Sequence, residues 1–87
     1  MKLFDTFEMM NSSDYKERFR AEYYQLLIRF EKLSKMLQMF QDGDLPFSPE
    51  CPEKLLKEQK EIMWKYLALL RIRAEIEQIQ LEEITIE

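Results

Sequence analysis

The chain has 87 residues, a formal net charge of −4 and 46% hydrophobic residues, which fits one small domain and leaves no room for a two-domain enzyme. It contains no histidine, one glycine and one cysteine. This composition excludes the usual zinc sites, histidine-dependent catalysis, glycine-rich phosphate loops and an intrachain disulfide. We therefore expect a binding protein rather than an enzyme, without a metal or cofactor.

The first twelve residues predict a short N-terminal helix. Leu3, Phe4, Phe7 and Met10 follow one another at helical spacing. We expect this helix to cover part of the apolar surface of the next one. The same residues show no signal peptide, and no apolar run in the chain approaches the ~20 residues of a membrane span. These observations predict a cytoplasmic protein that does not enter a membrane.

A long helix is predicted over residues 13–41. Its apolar side chains recur in alternating steps of four and three residues, which describe one helix face. They are Phe19, Tyr23, Leu26, Phe30, Leu33, Leu37 and Phe40. Ser12 or Ser13 is the expected N-cap, and Gly43 is expected to adopt the left-handed conformation that ends a helix.

Residues 42–51 predict a connector without a regular strand or helix, because prolines cluster there and just after it. Pro49 or Pro52 fits the first position of the following helix. The same stretch carries most of the acidic residues in the middle of the chain.

A second long helix is predicted over residues 52–80. Its main apolar face consists of Leu55, Ile62, Tyr66, Leu69, Ile72, Ile76 and Ile79. Both long helices carry apolar sectors too wide to be hidden by pairing with each other alone. The sequence thus predicts an all-α fold, a single helical domain over 1–87 in which two long antiparallel helices form a hairpin that assembles as a homo-oligomer. The acidic tail, 81–87, could continue the helix, form an extended arm or fray.

Charge is unevenly distributed along the chain. Residues 13–40 carry six basic against four acidic groups, and residues 54–74 carry six basic against two acidic groups. The connector and the tail are acidic. Acidic ends disfavour duplex nucleic acid, whereas a small anion can bind against a basic helix face. The alternative is that the charges form solvated faces with i,i+4 pairs.

Three motifs carry a resemblance to a known family. Asp14-Tyr15-x-x-Arg18 opens the first long helix, Lys32-Leu33 lies toward its end, and the second helix contains Leu55-x-x-x-Gln59-x-x-x-Met63-x-x-Tyr66. Together they resemble the hexameric anti-CBASS sponges, short phage proteins that sequester the cyclic oligonucleotide signals of a bacterial defence system.

The resemblance implies a ligand-binding role for several residues. In that family cyclic dinucleotides are held between protomers without cleavage, and a separate pocket takes cyclic trinucleotides. Tyr15 matches the tyrosine that stacks on a base, with Arg18 of the same motif beside it. Arg29 or Lys32 matches the basic group on the phosphates, with Phe30 as the alternative occupant of that position. Arg73 matches the arginine of the last helix, which that family uses in the separate trinucleotide pocket.

Helix geometry agrees that such a site needs more than one chain. Tyr15 and Arg29 are 14 residues apart, which separates them by ~21 Å along a helix. A neighbouring protomer is therefore needed to bring both to a small ligand. Structural alternatives stand beside the binding roles, since Tyr15 is spaced to pack with Phe19, Arg73 is spaced to pair with Glu77, and Trp64 is typical of interface packing.

The sequence predicts a phage immune-evasion sponge for cyclic di- or trinucleotides, a homo-oligomer such as a hexamer acting in the host bacterial cytoplasm. The alternative is an acidic protein-interaction inhibitor or a helical adaptor, which would use the acidic connector and tail instead.

Overall fold

The computed structural model describes residues 1–87 and contains three α-helices and no strand. A 3₁₀ turn at Leu3–Thr6 leads into α1, Phe7–Met10. Helix α2 spans Tyr15–Asp42 and helix α3 spans Glu53–Glu77. The predicted all-α class is confirmed. None of these helices combines the length and the apolar composition that crossing a membrane requires.

Helix α2 begins at an aspartate cap. The Asp14 side chain accepts a hydrogen bond of 3.0 Å from the backbone N–H of Lys16. Ser12 lies one step earlier, where its hydroxyl accepts from the backbone N–H of Asp14. The expectation of a serine N-cap is therefore wrong, because the carboxylate is the group that satisfies a free N–H of the first turn. This cap places Tyr15 at the first helical position.

Helix α2 ends at Gly43, as predicted. Its φ is 77°, in the left-handed region that glycine adopts without strain. The N–H of Gly43 donates to the carbonyl of Phe40, and the N–H of Asp44 donates to that of Met39. These two bonds form a Schellman-type end. The connector that follows has no regular strand. Pro52 is the N-cap of α3, one residue before the first helical position, where a proline was expected.

Helix α3 ends at Glu77, earlier than the predicted end near residue 80. The reason is that Gln78 adopts a left-handed conformation with φ of 58°. The N–H of Ile79 then donates to the carbonyl of Ala74 at 2.8 Å, and the Ile79 side chain is buried in the core. Burial of Ile79 against the other helix thus takes the place of another helical turn.

The core lies between the N-terminal half of α2 and the C-terminal half of α3. It consists of Phe19, Tyr23, Tyr24, Leu67, Leu70, Ala74 and Ile79. Polar contacts continue the same pairing, since Arg71 Nε donates to Tyr23 Oη at 2.9 Å and Tyr66 Oη donates to the Glu22 carboxylate. The start of α2 is thereby held beside the end of α3.

The N-terminal segment packs on α2 through different residues from those expected. Thr6 is buried and accepts a hydrogen bond of 2.9 Å from the Gln25 amide, and Met9 packs against the core. Phe4 and Phe7 stack on each other at a centroid distance of 6.1 Å and remain exposed, Phe4 to 81%. The segment is too short to turn all of its apolar side chains inward, so it leaves an exposed aromatic pair.

The acidic tail runs back along α2 as an extended arm, one of the three conformations that its sequence left open. Arg20 Nε donates to the carbonyl of Gln80 at 2.8 Å. The backbone N–H of Glu82 donates to Tyr24 Oη at 3.0 Å, and Ile84 packs against the core. The arm therefore covers apolar surface of α2 that α3 does not reach.

Candidate functional site

A tyrosine, an arginine and a carboxylate meet where α2 begins and α3 ends. Tyr15 Oη donates a hydrogen bond of 2.8 Å to Glu77 Oε1. Arg73 Nη2 donates to Tyr15 Oη at 2.8 Å, and Arg73 Nε donates to Glu77 Oε2 at 3.1 Å. We call these three residues, with the adjoining Phe19, the Tyr15 cluster.

Aromatic packing fixes the position of the arginine in this cluster. The guanidinium carbon of Arg73 lies 5.1 Å from the centroid of the Phe19 ring, within the range of a cation–π contact. The Tyr15 ring lies 6.3 Å from the same ring and is 45% exposed. Two of the five N–H donors of Arg73 are engaged. The cluster thus combines an accessible aromatic ring with a guanidinium whose position is fixed and whose remaining N–H donors are free to bind a ligand.

Hydrogen bonding reinforces the ordinary protonation states of the cluster at neutral pH. The bond from Tyr15 lowers the pKa of Glu77, and the same bond raises the pKa of the Tyr15 phenol. Hydrogen bonding to Glu77 raises the pKa of the Arg73 guanidinium. At neutral pH the cluster therefore holds a protonated phenol, a carboxylate and a guanidinium.

A second tyrosine–carboxylate pair lies farther along the two helices. The Tyr66 phenol donates to the Glu22 carboxylate, and this bond raises the pKa of the phenol. Tyr66 is 42% exposed. The pair extends the polar surface from the Tyr15 cluster toward the middle of α3.

The other predicted site residues lie elsewhere in the chain. Arg18 Nη1 donates to the carbonyl of Ser12 at 2.8 Å, which ties it to the loop before α2. Arg29 lines a cavity of about 400 Å³ beside the N-terminal segment. Lys32 lines another, of about 280 Å³, together with Lys35 and the end of the tail. One chain thus brings Tyr15 and Arg73 together but not Arg29 or Lys32.

Two members of the cluster had a different predicted role. The sequence indicated Glu77 only as an ion-pair partner of Arg73, four residues earlier, and Phe19 only as a core residue. The Arg73–Glu77 pair is present. Its added link to Tyr15 depends on how α3 lies against α2, which helical periodicity does not specify. No group of cysteine and carboxylate side chains in the chain is placed to hold a metal ion.

An exposed apolar stripe runs along α3 beside the cluster. It consists of Leu55, Ile62, Leu69 and Ile76, which are 55–75% exposed and recur every seven residues. We call it the α3 stripe. Arg73 lies four residues after Leu69 and three before Ile76, so it projects from the same helix face. The stripe and the Tyr15 cluster are therefore adjacent.

Comparison with known proteins gives one match. A family model described as Sequestin matches residues 13–76, which cover α2, the connector and nearly all of α3. The match includes Tyr15 and Arg73 and leaves out the N-terminal segment and the tail. Neither the curated proteins nor the solved structures contain a match to this chain.

Proposed function

The chain belongs to the Sequestin family, the phage anti-CBASS sponges for cyclic oligonucleotides, and from this membership we propose that it binds and sequesters cyclic di- or trinucleotides without cleaving them. Family members of this kind sequester their ligands rather than convert them. The finer assignment, of ligand and of residues, is our proposal.

The observation that carries the proposal is the pairing of Tyr15 with Arg73, two residues that the family resemblance assigns to separate pockets. A half-exposed tyrosine ring offers a base a stacking surface, worth ~1–3 kcal/mol per base. The guanidinium beside it offers charge-assisted hydrogen bonds to phosphate oxygens. Arg73 is already oriented by Phe19 and Glu77, so little side-chain freedom is lost when a phosphate binds.

We propose that a second protomer completes the site. Arg29 and Lys32, the basic residues that the family resemblance assigns to the phosphates, lie ~21 Å or more along α2 from Tyr15. A second copy seated on the α3 stripe would lie next to Arg73 and could supply them, and Arg18 is a further cation of the same chain, in the same motif as Tyr15. The proposed unit is accordingly a helical hairpin of one domain that forms a homo-oligomer, a hexamer in keeping with the family resemblance.

Capture without hydrolysis agrees with the chemistry of the Tyr15 cluster. A general base works best when its pKa lies near the working pH. The hydrogen bond from Tyr15 instead lowers the pKa of Glu77, away from neutral pH, and the same bond keeps the Tyr15 phenol protonated. The cluster is thus suited to holding a phosphate ester and poorly suited to activating a water against it.

Charge supports a small ligand over a polymer. Both long helices are net basic between acidic segments, and the acidic arm lies along α2. A long duplex would approach these acidic segments, whereas a cyclic dinucleotide is small enough to contact a single cluster. We therefore propose action on free signal molecules in the host bacterial cytoplasm, with neither duplex nucleic acid nor a membrane as partner.

The test is recovery of the ligand. The protein is incubated with cyclic dinucleotides and trinucleotides, separated from free nucleotide by gel filtration and then heated. We expect the nucleotide to co-elute with the protein and to return chemically unchanged on heating. Linearised product would contradict sequestration, and failure of every cyclic nucleotide to co-elute would favour the protein-interaction alternative.

A further inference from the structure

The only tryptophan of the chain, Trp64, is 52% exposed although contacts hold its ring in place. Its ring lies 6.1 Å from that of Phe30, at an interplanar angle of 34°. The guanidinium carbon of Arg71 lies 5.9 Å from the Trp64 ring and 5.8 Å from the Tyr23 ring. Trp64 is therefore a positioned and accessible aromatic surface within one chain.

A cavity of about 340 Å³ opens beside this ring. Phe30, Lys57, Lys60, Glu61 and Trp64 line it, and we call it the Trp64 pocket. Its volume falls at the small end of the range typical of sites for small molecules. Two aromatic rings and two lysines in one pocket are the groups that recognise an aromatic ring carrying a negative charge.

The charged side chains of the pocket differ in whether they already have an ion-pair partner. Lys57 Nζ lies 2.7 Å from Glu53, so that cation is already paired. The Glu61 carboxylate faces Lys65 at 4.0 Å. Lys60 forms no ion pair with any carboxylate of the chain. Lys60 is consequently the cation available to a ligand, and the Glu61 carboxylate can accept a hydrogen bond from an amino group.

We infer that the Trp64 pocket is a second binding site, contained in one chain, for a phosphorylated purine that carries an amino group. The base stacks against Trp64, the phosphate contacts Lys60, and the amino group donates to Glu61. Base stacking and a charge-assisted phosphate contact supply the affinity. A single nucleotide fills such a pocket without a second protomer.

This site is separate from the Tyr15 cluster. Trp64 and Arg73 are nine residues apart on α3, which places them on opposite sides of the helix and ~13 Å apart along its axis. Trp64 and Ile62 are two residues apart, about 200° around the helix. A second copy covering the α3 stripe would leave the Trp64 pocket open. The inference therefore does not rest on the proposed sponge function.

Fluorescence of Trp64 tests the inference directly, because the chain has no other tryptophan. The protein is titrated with adenosine monophosphate, excited beyond the adenine absorption band. We expect saturable quenching by adenosine monophosphate and none by ribose phosphate, which lacks the base. The Lys60→Gln variant should weaken the binding about tenfold, as expected for one lost charge-assisted hydrogen bond.

Two variants serve as controls. Lys54→Gln removes an exposed lysine of α3 that neither lines the pocket nor contacts Glu61, and it should leave the titration unchanged. Tyr15→Ala should also leave it unchanged, while it weakens binding of cyclic nucleotides at the other site. No saturable quenching, an equal effect of Lys54→Gln, or loss of the quenching in Tyr15→Ala would overturn the inference.

Discussion

Tyr15 and Glu77, 62 positions apart in the chain, are joined by a hydrogen bond of 2.8 Å between the first residue of α2 and the last residue of α3. The bond ties the aromatic ring proposed to stack on a base to the carboxylate that orients Arg73. Disturbing either end of this bond should therefore change both the stability of the helix pair and the site that it carries.

Glu77 should make stability depend on pH. Its pKa lies below the ordinary value of 4.5 because Tyr15 donates to it. A carboxyl group of this kind stabilises the fold fully above pH 4.5, and the contribution is lost as the pH falls from there through its lower pKa in the folded protein. Glu77→Gln abolishes the ionisation. The difference in Tm between wild type and variant, followed by circular dichroism, should shrink below pH 4.5.

Glu61→Gln is the matched control for removing a carboxylate from α3, because Glu61 lies exposed on the same helix with only a 4.0 Å contact to Lys65. At neutral pH it should lower the Tm by less than Glu77→Gln does. A Glu77→Gln difference that stays constant across pH would show that the ionised carboxylate does not contribute to stability.

Gly43→Ala should destabilise the protein by about 1 kcal/mol or more. An added Cβ would meet no atom within 4 Å, so the whole cost comes from the φ of 77°. Gly43→Asn should lose less, because asparagine tolerates the left-handed region better. Urea denaturation measures both variants. Equal stability of wild type and Gly43→Ala would contradict the assigned helix end.

The segment that follows α3 should contribute to stability through Ile79. Its side chain is 4% exposed, and Ile→Ala at such a site costs about 2–5 kcal/mol. Ile72→Ala removes the same group from an exposed position of α3 and should change stability by less than about 0.5 kcal/mol. Thermal denaturation of the two variants makes the comparison. Similar losses would show that Ile79 does not pack in the core as described.

The α3 stripe should control self-association. Ile62→Glu places a charge in the middle of the stripe and should reduce the molar mass measured by light scattering toward that of one chain. Phe47→Glu changes an exposed apolar residue in the connector and should leave the mass unchanged. A monomeric wild-type protein at micromolar concentration would exclude the proposed homo-oligomer.

Hydrophobic periodicity predicted the two long helices. The C-terminal end of α2 was also predicted, but that of α3 was not. The end of α2 follows from Gly43, since a glycine after a periodic run is a known stop. The end of α3 does not, because Gln78 carries no comparable signature and is held left-handed by the burial of Ile79. Likewise Phe4 and Phe7 are spaced like core residues, yet their short segment leaves them exposed.

The candidate site could be predicted only as separate residues. Tyr15 and Arg73 came from a family resemblance, and nothing local in the sequence indicates that they touch. Their contact depends on the register of α3 against α2, which the shared core of Phe19, Tyr23 and Leu70 sets. The exposure of Trp64 is also a tertiary property, because it depends on how α3 packs beside Phe30 of α2.

Calorimetric titration with a panel of cyclic di- and trinucleotides tests the central claim most directly. We expect at least one of them to bind wild-type protein tightly, and Tyr15→Ala to weaken this binding by the ~1–3 kcal/mol of one stacked base. Tyr15→Phe, which keeps the ring, should lose less, and Phe47→Ala, an exposed aromatic outside the site, should bind like wild type. Wild-type affinity in Tyr15→Ala, or no binding of any cyclic nucleotide, would contradict the account.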